Sequence, residues 1–126
     1  MSQPYQLGNL QLAIMRILWE RGEASAREIH GALYEERGLA PTTIATMLRK
    51  MEHKGVVEHR AQGRQFIYRA GIAESDVREG MVGDLVERLF CGDSAALIHY
   101  LFEAGKLDTG ELEELRARLR NGGSLR

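Results

Sequence analysis

The stretch that decides the fold is residues 41–53, which read PTTIATMLRKMEH. Proline suits the first position of an α-helix, because its missing N–H needs no partner there and its φ is already helical. With successive side chains about 100° apart, Ile44, Leu48 and Met51 fall on one side of this helix. Hydroxyls and cations fall on the opposite side, namely Thr42, Thr46, Arg49, Lys50 and His53. The segment is therefore predicted to be an amphipathic helix whose polar face carries no carboxylate.

Two helices are predicted before this segment and a β-hairpin after it. Apolar residues at helical spacing cover residues 9–20, and Gly22 ends that helix. Ser25 opens the second helix and stands three residues before Glu28, the spacing of a reciprocal capping box. Two short runs, residues 56–60 and 65–69, enclose a loop at residues 61–64 that contains Gly63. Three helices and a hairpin in about 60 residues predict a winged helix-turn-helix.

The remainder of the chain is predicted to form three more helices. Apolar stripes cover residues 77–90 and 97–102, and Asp108 stands three residues before Glu111 as another capping box. The predicted fold class is mainly α with a small β-hairpin wing. Residues 1–72 would form a winged-helix DNA-binding domain, and residues 73–126 a helical dimerisation domain.

The dimer is expected because about 50 residues are too few to bury broad apolar stripes without a partner. Packing against a second copy would cover them. The residues predicted at this interface are Val77, Met81, Leu85, Leu89, Leu97, Leu101, Leu112 and Leu115. The alternative is a monomer in which these helices fold back onto the winged helix.

The net charge of −1 conceals two regions of opposite sign. Residues 1–72 carry ten Lys and Arg against seven Asp and Glu, whereas residues 73–126 carry seven against eleven. A local basic stripe on a nearly neutral chain indicates a polyanionic partner, although a solvated charged face is the simpler alternative. The acid-free helix face favours double-stranded DNA, with that helix in the major groove and the hairpin against the backbone. The hairpin residues predicted to contact DNA are Arg60, Gln62 and Arg64.

Other functional classes find little support in the sequence. No catalytic motif or phosphate-cradling glycine loop is present, no histidine pair has metal-ligand spacing, and no cofactor or metal is expected. Cys91 has no cysteine to pair with and is predicted to be a buried thiol. No apolar run approaches the ~20 residues of a membrane span, and no secretory signal is evident, so a cytoplasmic protein is expected. The alternative function is a winged-helix protein–protein interaction module that does not read DNA.

Four strings carry a resemblance to a known family: LAIMRILW at 12–19, PTTIATMLRKM at 41–51, KGVV at 54–57 and ELEEL at 111–115. In this order they resemble the penicillinase-repressor family (BlaI/MecI/CopY type) of bacterial winged-helix regulators, over about residues 7–120. The resemblance implies a homodimeric repressor of transcription that binds a palindromic DNA operator. By position, it also implies a wing at residues 60–64 and a groove-facing set consisting of Thr42, Thr43, Ala45, Thr46, Arg49 and Lys50.

Two departures from the family pattern bear on how repression is relieved. The copper-responsive branch carries closely spaced C-terminal cysteines, which this chain lacks. The antibiotic-resistance branch is cut by a membrane sensor-protease at an Asn-Phe bond, in a helix corresponding to residues 94–102. This chain reads LIHYLF at 97–102, with no Asn-Phe pair. A sensor-protease is therefore one candidate partner, and cleavage at another bond and a different inducing signal both stay open.

Overall fold

The computed structural model describes residues 6–122. Its helices are α1 (Asn9–Arg21), α2 (Ala26–Arg37), α3 (Pro41–His53), α4 (Glu74–Phe90), α5 (Ser94–Glu103) and α6 (Thr109–Arg120). Its strands are β1 (Glu23–Ser25), β2 (Val57–Gln62) and β3 (Gln65–Ala70). The predicted order of three helices, a hairpin and three further helices is confirmed.

The sheet has one strand more than the sequence predicted. β1 lies between α1 and α2 and pairs antiparallel with β3, which makes β3 the central strand in the order β1-β3-β2. Its register sets Ala24 opposite Tyr68 and Ser25 opposite Ile67. A three-residue strand is too short to show an alternating pattern, so its detection depends on the partner strand.

The hairpin loop is shorter than expected. Ala61 and Gln62 belong to β2, where they pair with Phe66 and Gln65, so Gly63 and Arg64 alone form the turn. The prediction of a loop over residues 61–64 was therefore wrong. The two strands continue closer to the tip because the turn is tight: Gly63 has φ 62°.

A core shared by α1, α2, α3 and the sheet holds the N-terminal unit together. Its fully buried large side chains are Ile14, Met15, Leu18, Ile29, Ile44, Leu48, Met51, Val56 and Val57. The segment after β3 is fixed to this unit, because the Trp19 indole N–H donates to the Ile72 carbonyl at 2.9 Å. Close backbone approach also requires Gly71, where an added Cβ would lie 2.9 Å from the Gly55 carbonyl oxygen.

The chain divides into two compact units, the first ending at Met81 and the second beginning at Val82. The division lies nine residues after the predicted boundary at residue 72. The first turns of α4 belong to the N-terminal unit, since Val77 is 2% exposed within its core and Met81 is half-buried against it. The expectation that Val77 lies at a dimer interface is corrected by this packing, because the side chain has no free surface for a partner.

The helices α5 and α6 of the C-terminal unit have well-formed N-terminal caps, but the unit has little core of its own. The Asp108–Glu111 capping box is present, and Asp93 caps α5 by accepting from the Ala96 N–H. No residue of α5 or α6 is buried. Among residues 6–122, no helix is both long and apolar enough to cross a membrane.

Cys91 lies in the turn after α4 and is exposed, with φ 52°. The prediction of a buried thiol was therefore wrong. The apolar stripe and helix α4 both end at Phe90, so Cys91 lies in the following turn and not on the helix.

Candidate nucleic-acid interface

Helix α3 presents its polar residues to solvent in the way its sequence predicts. Ile44, Leu48 and Met51 are fully buried and clamp the helix onto the core. On the other side, Ala45 is half-buried, and the exposed residues include Thr42, Thr43, Thr46, Arg49 and Lys50. The predicted amphipathic arrangement is confirmed: a rigid apolar anchor on one side and an acid-free polar face on the other.

A groove runs between α3, the first turn of α2 and the hairpin strand β3. Arg27, Ala45, Arg49, Phe66 and Tyr68 are among the residues that line it. Burial raises the pKa of the Tyr68 hydroxyl and the charge of Glu52 raises it further, while the Arg49 guanidinium acts in the opposite direction. Arg49 therefore exerts its charge on the aromatic side of the groove as well as on the outer face of α3.

Arg64 lies at the tip of the hairpin and is exposed. Gly63 has a positive φ and Arg64 does not, the combination expected of a type II′ turn, whose twist matches that of the flanking strands. The turn places a cation at the far end of the wing. Within residues 6–122, Arg64 forms no ion pair with a carboxylate, and neither do Arg27, Arg49 and Lys50.

Arg60 has a different environment from Arg64, although both belong to the hairpin. Its Nε and Nη2 donate to the two carboxylate oxygens of Glu23 at 3.2 and 3.0 Å, and its Nη1 donates to Gln62 Oε1 at 2.7 Å. The hydrogen bond with Arg60 lowers the pKa of Glu23, and the same bond raises the pKa of Arg60. Two residues predicted to contact DNA thus already use their polar groups on each other and on β1.

On the same face of the sheet, Arg69 donates from its Nε to Glu58 Oε1 at 2.9 Å. Cross-strand pairing sets Glu23 and Glu58 on either side of Arg69. We call these four side chains, Glu23, Glu58, Arg60 and Arg69, the paired sheet face. Its charges compensate one another across the three strands of the sheet.

The helix-facing side of the hairpin is braced against α3. His59 Nδ1 lies 2.5 Å from Glu52 Oε2, and the imidazole ring stacks on Phe66 with ring centroids 4.1 Å apart. Phe66 is nevertheless 50% exposed, whereas Tyr68 is buried. Tyr68 therefore serves in packing, whereas Phe66 leaves half of its surface open to solvent.

Arg27 and the exposed ring of Phe66 are groove residues that the sequence analysis did not select. A signal for Arg27 existed: it stands in the first turn of a helix, where acidic side chains are usual and a cation gains nothing from the helix dipole. No equivalent signal marked Phe66, because alternation within a strand does not say which aromatic ring is left uncovered.

Among residues 6–122, no three His, Cys, Asp or Glu side chains come together in a group that could hold a metal ion. His30, a metal candidate by residue type, is engaged by the backbone, with its Nε2 2.7 Å from the Leu39 carbonyl oxygen. The groups available on this surface are guanidinium, ammonium and hydroxyl groups and one aromatic ring. These groups bind anions and apolar ring faces.

The chain has clear relatives among known proteins. Over 110 residues it is 28% identical to the penicillinase repressor of Bacillus licheniformis, covering 87% of this chain and 86% of that protein. Over 125 residues it is 30% identical to the transcriptional regulator BlaI of Mycobacterium tuberculosis, covering 97% and 91% respectively. Its fold matches the solution structure of monomeric B. licheniformis BlaI in complex with the blaP half-operator, with TM-score 0.51, 32% identity, and coverage of 60% of this chain and 93% of that one.

The sequence pattern of one family, described as penicillinase repressor, matches residues 7–121, nearly the full chain. The match includes both the winged helix and the C-terminal helices. This chain therefore belongs to the penicillinase repressor family.

Proposed function

We propose that this chain is a sequence-specific repressor of transcription that binds a palindromic DNA operator as a homodimer. The observation that carries the proposal is the acid-free outer face of α3, which three fully buried side chains hold rigidly in place. A helix fixed in this way enters the major groove as one piece, because its backbone needs no further ordering when it binds. Membership of a repressor family supports the same function. Since operator DNA lies in the cytoplasm of a bacterium, the proposed compartment is the cytoplasm.

In this proposal, different side chains of α3 make different kinds of contact with DNA. Arg49 is suited to bidentate contact with a guanine, and the threonine hydroxyls and methyls to shorter contacts with base edges. Lys50 and the wing-tip Arg64 neutralise phosphates, which adds affinity without reading sequence. The set proposed to face the DNA major groove is Thr42, Thr43, Ala45, Thr46, Arg49 and Lys50. Arg60 and Gln62 are proposed to brace the wing, because Glu23 already engages Arg60.

Dimerisation is assigned to the C-terminal unit. Leu85 is 40% exposed and Leu89 70% exposed, and neither α5 nor α6 has a buried residue. Such an apolar surface is costly in water and is covered when a second copy packs against it. The proposed interface comprises Leu85, Leu89, Leu97, Leu101, Leu112 and Leu115, with Met81 at its edge. Two-fold symmetry would then present two copies of α3 to two half-sites on the DNA.

The dimer is tested by Leu85→Asp, which introduces a charge into the apolar surface without removing a core side chain. We expect the variant to sediment as a monomer and to lose tight operator binding. Thr109→Asp, an exposed change at the first position of α6, is the control and should remain dimeric. A Leu85→Asp variant that is a dimer with undiminished affinity would contradict the proposed interface.

The function itself is tested by a gel-shift titration with two duplexes of equal length, one from upstream of the chain's own gene and one of random sequence. A repressor of its own locus binds the first duplex more tightly, and affinity for both falls steeply with salt, by about 0.9 logarithmic units per tenfold change in salt for each phosphate neutralised. Equal affinity for both duplexes would refute sequence-specific regulation of that locus. No binding to either would favour the alternative, a winged-helix module for protein contacts.

Relief of repression belongs to the C-terminal unit in this proposal, since loss of the dimer separates the two DNA-binding units. The family pattern suggests proteolysis in α5 by a membrane sensor-protease as one route. A recognition site for a sequence-specific protease, inserted at the exposed turn after Gly105, would test the principle. Cutting there should turn the dimer into monomers and release the operator. A cut chain that stays dimeric and bound would rule out cleavage at this position as a means of relief.

A further inference from the structure

Of the residues that line the groove beside α3, only Ala45 and Arg49 belong to the set proposed to face the DNA major groove. It is bordered by α3, by the first turn of α2 and by β3, and its lining combines two cations with an exposed aromatic ring. We propose that this groove holds one sugar–phosphate segment of the DNA backbone, with Arg27 binding the phosphate and Phe66 packing against the deoxyribose. The inference rests on DNA binding by the chain and adds a further sequence-independent contact to those proposed for Lys50 and Arg64.

The charge of the groove favours a polyanion over other occupants. Arg27 and Arg49 both line it, and no acidic residue does so within the described chain. Neither guanidinium is paired with a carboxylate among residues 6–122, in contrast to Arg60 and Arg69 on the paired sheet face. An unpaired guanidinium offers its full hydrogen-bonding fork to a phosphate, without first breaking an internal bond.

The aromatic ring gives the groove its second feature. One face of Phe66 stacks on His59, which Glu52 holds from α3, so the ring is fixed although half its surface is in water. A fixed, exposed ring next to a guanidinium matches the alternation of apolar sugar and charged phosphate along a DNA strand. Phe66 lies two residues after the wing-tip Arg64, on the strand β3 that borders the groove, so it joins the wing contact to the groove contact.

Replacement of Arg27 and replacement of Phe66 should have different effects on salt titrations against a random-sequence duplex. Such a duplex reports only contacts with the DNA backbone. Arg27→Gln should reduce the slope of log affinity against log salt by about 0.9 for each bound protomer. Phe66→Ala should lower affinity roughly five- to tenfold per protomer while leaving the slope unchanged, since burial of an apolar ring releases no counterion. Phe66→Tyr keeps the ring and should keep most of the affinity.

Arg69→Gln is the matched control, because it removes the same charge from a guanidinium that Glu58 already neutralises. We expect its slope to equal that of the unchanged chain. Thermal unfolding of each variant shows whether the fold is intact, and Arg27, on the surface of α2, should be replaceable without a change in Tm.

The outcomes separate this inference from the proposed function. If the unchanged chain binds its upstream duplex specifically but Arg27→Gln keeps the full slope, the groove does not hold a phosphate and this inference is overturned alone. A Phe66→Ala variant that is folded and binds random duplex normally would overturn the sugar contact. If the unchanged chain binds no duplex at all, the proposed function fails first.

Discussion

Replacement of one arginine in the wing should change the salt dependence of DNA binding, and replacement of its neighbour should not. Arg64 is exposed at the tip of a two-residue turn and has no carboxylate partner within residues 6–122. Arg60 is held by both oxygens of Glu23. Arg64→Gln and Arg60→Gln therefore remove the same formal charge from the same hairpin but from opposite environments.

The magnitude follows from counterion release. If each Arg64 neutralises one phosphate, a dimer loses about 1.8 from the slope of log affinity against log salt when both copies are replaced. Between about 50 and about 200 mM salt, the affinity ratio of unchanged chain to Arg64→Gln should then shrink about twelvefold. Arg60→Gln should give a ratio that hardly varies with salt, because Glu23 already compensates that guanidinium.

Fluorescence anisotropy with a labelled random-sequence duplex measures both slopes, and circular dichroism shows whether each hairpin variant is folded. Equal slope changes in the two variants would show that the internal ion pair does not decide which arginine meets the phosphate. If Arg64→Gln has the same slope of log affinity against log salt as the unchanged chain, Arg64 does not contact a phosphate.

Three further predictions concern helix α3, helix α2 and the sheet. Arg49→Ala should weaken binding to the chain's own operator by about 1–3 kcal/mol and relax preference at one base pair, as measured by titrating single-base operator variants; an unchanged base preference would remove Arg49 from base reading. Ser25→Ala removes the hydroxyl that accepts from the Glu28 N–H at 3.1 Å and should cost about 1 kcal/mol in denaturant unfolding; a change within error would mean that the cap contributes nothing. The ion pair with Arg60 lowers the pKa of the Glu23 carboxyl in the folded chain below its ordinary value of 4.5. The pair therefore stabilises the fold above pH 4.5, and this stabilisation is lost as the pH falls through the lowered pKa. Glu23→Gln should therefore lose less stability than the unchanged chain on acidification below about pH 4.5, with parallel pH profiles counting against the pair.

Local sequence patterns were sufficient to predict the helices. The start of α3 at Pro41 and the capping box between Ser25 and Glu28 depend on residues within one turn, so a sequence pattern contains all the necessary information. The opposite faces of α3 follow in the same way from helical periodicity, and the burial of Ile44 and Leu48 agrees with it. The hairpin was also predictable, apart from the length of its turn.

Features that depend on a distant partner were not predictable. Strand β1 exists because β3 offers it a register, and Arg60 is unavailable because Glu23 faces it across that sheet. Val77 has the same apolar character as Leu85, yet one side chain fills the core of the N-terminal unit and the other is exposed.

The amino-acid sequence by itself determined which segments are helical, which side of α3 is polar and where the positive charge of the chain is concentrated. Each of these is set by neighbours a few residues away. Only the tertiary structure decided which of those positive charges remain free to meet DNA, because an ion pair such as that between Arg60 and Glu23 joins residues far apart in the chain. The same folding brought Arg27 and Phe66 to the two sides of one groove.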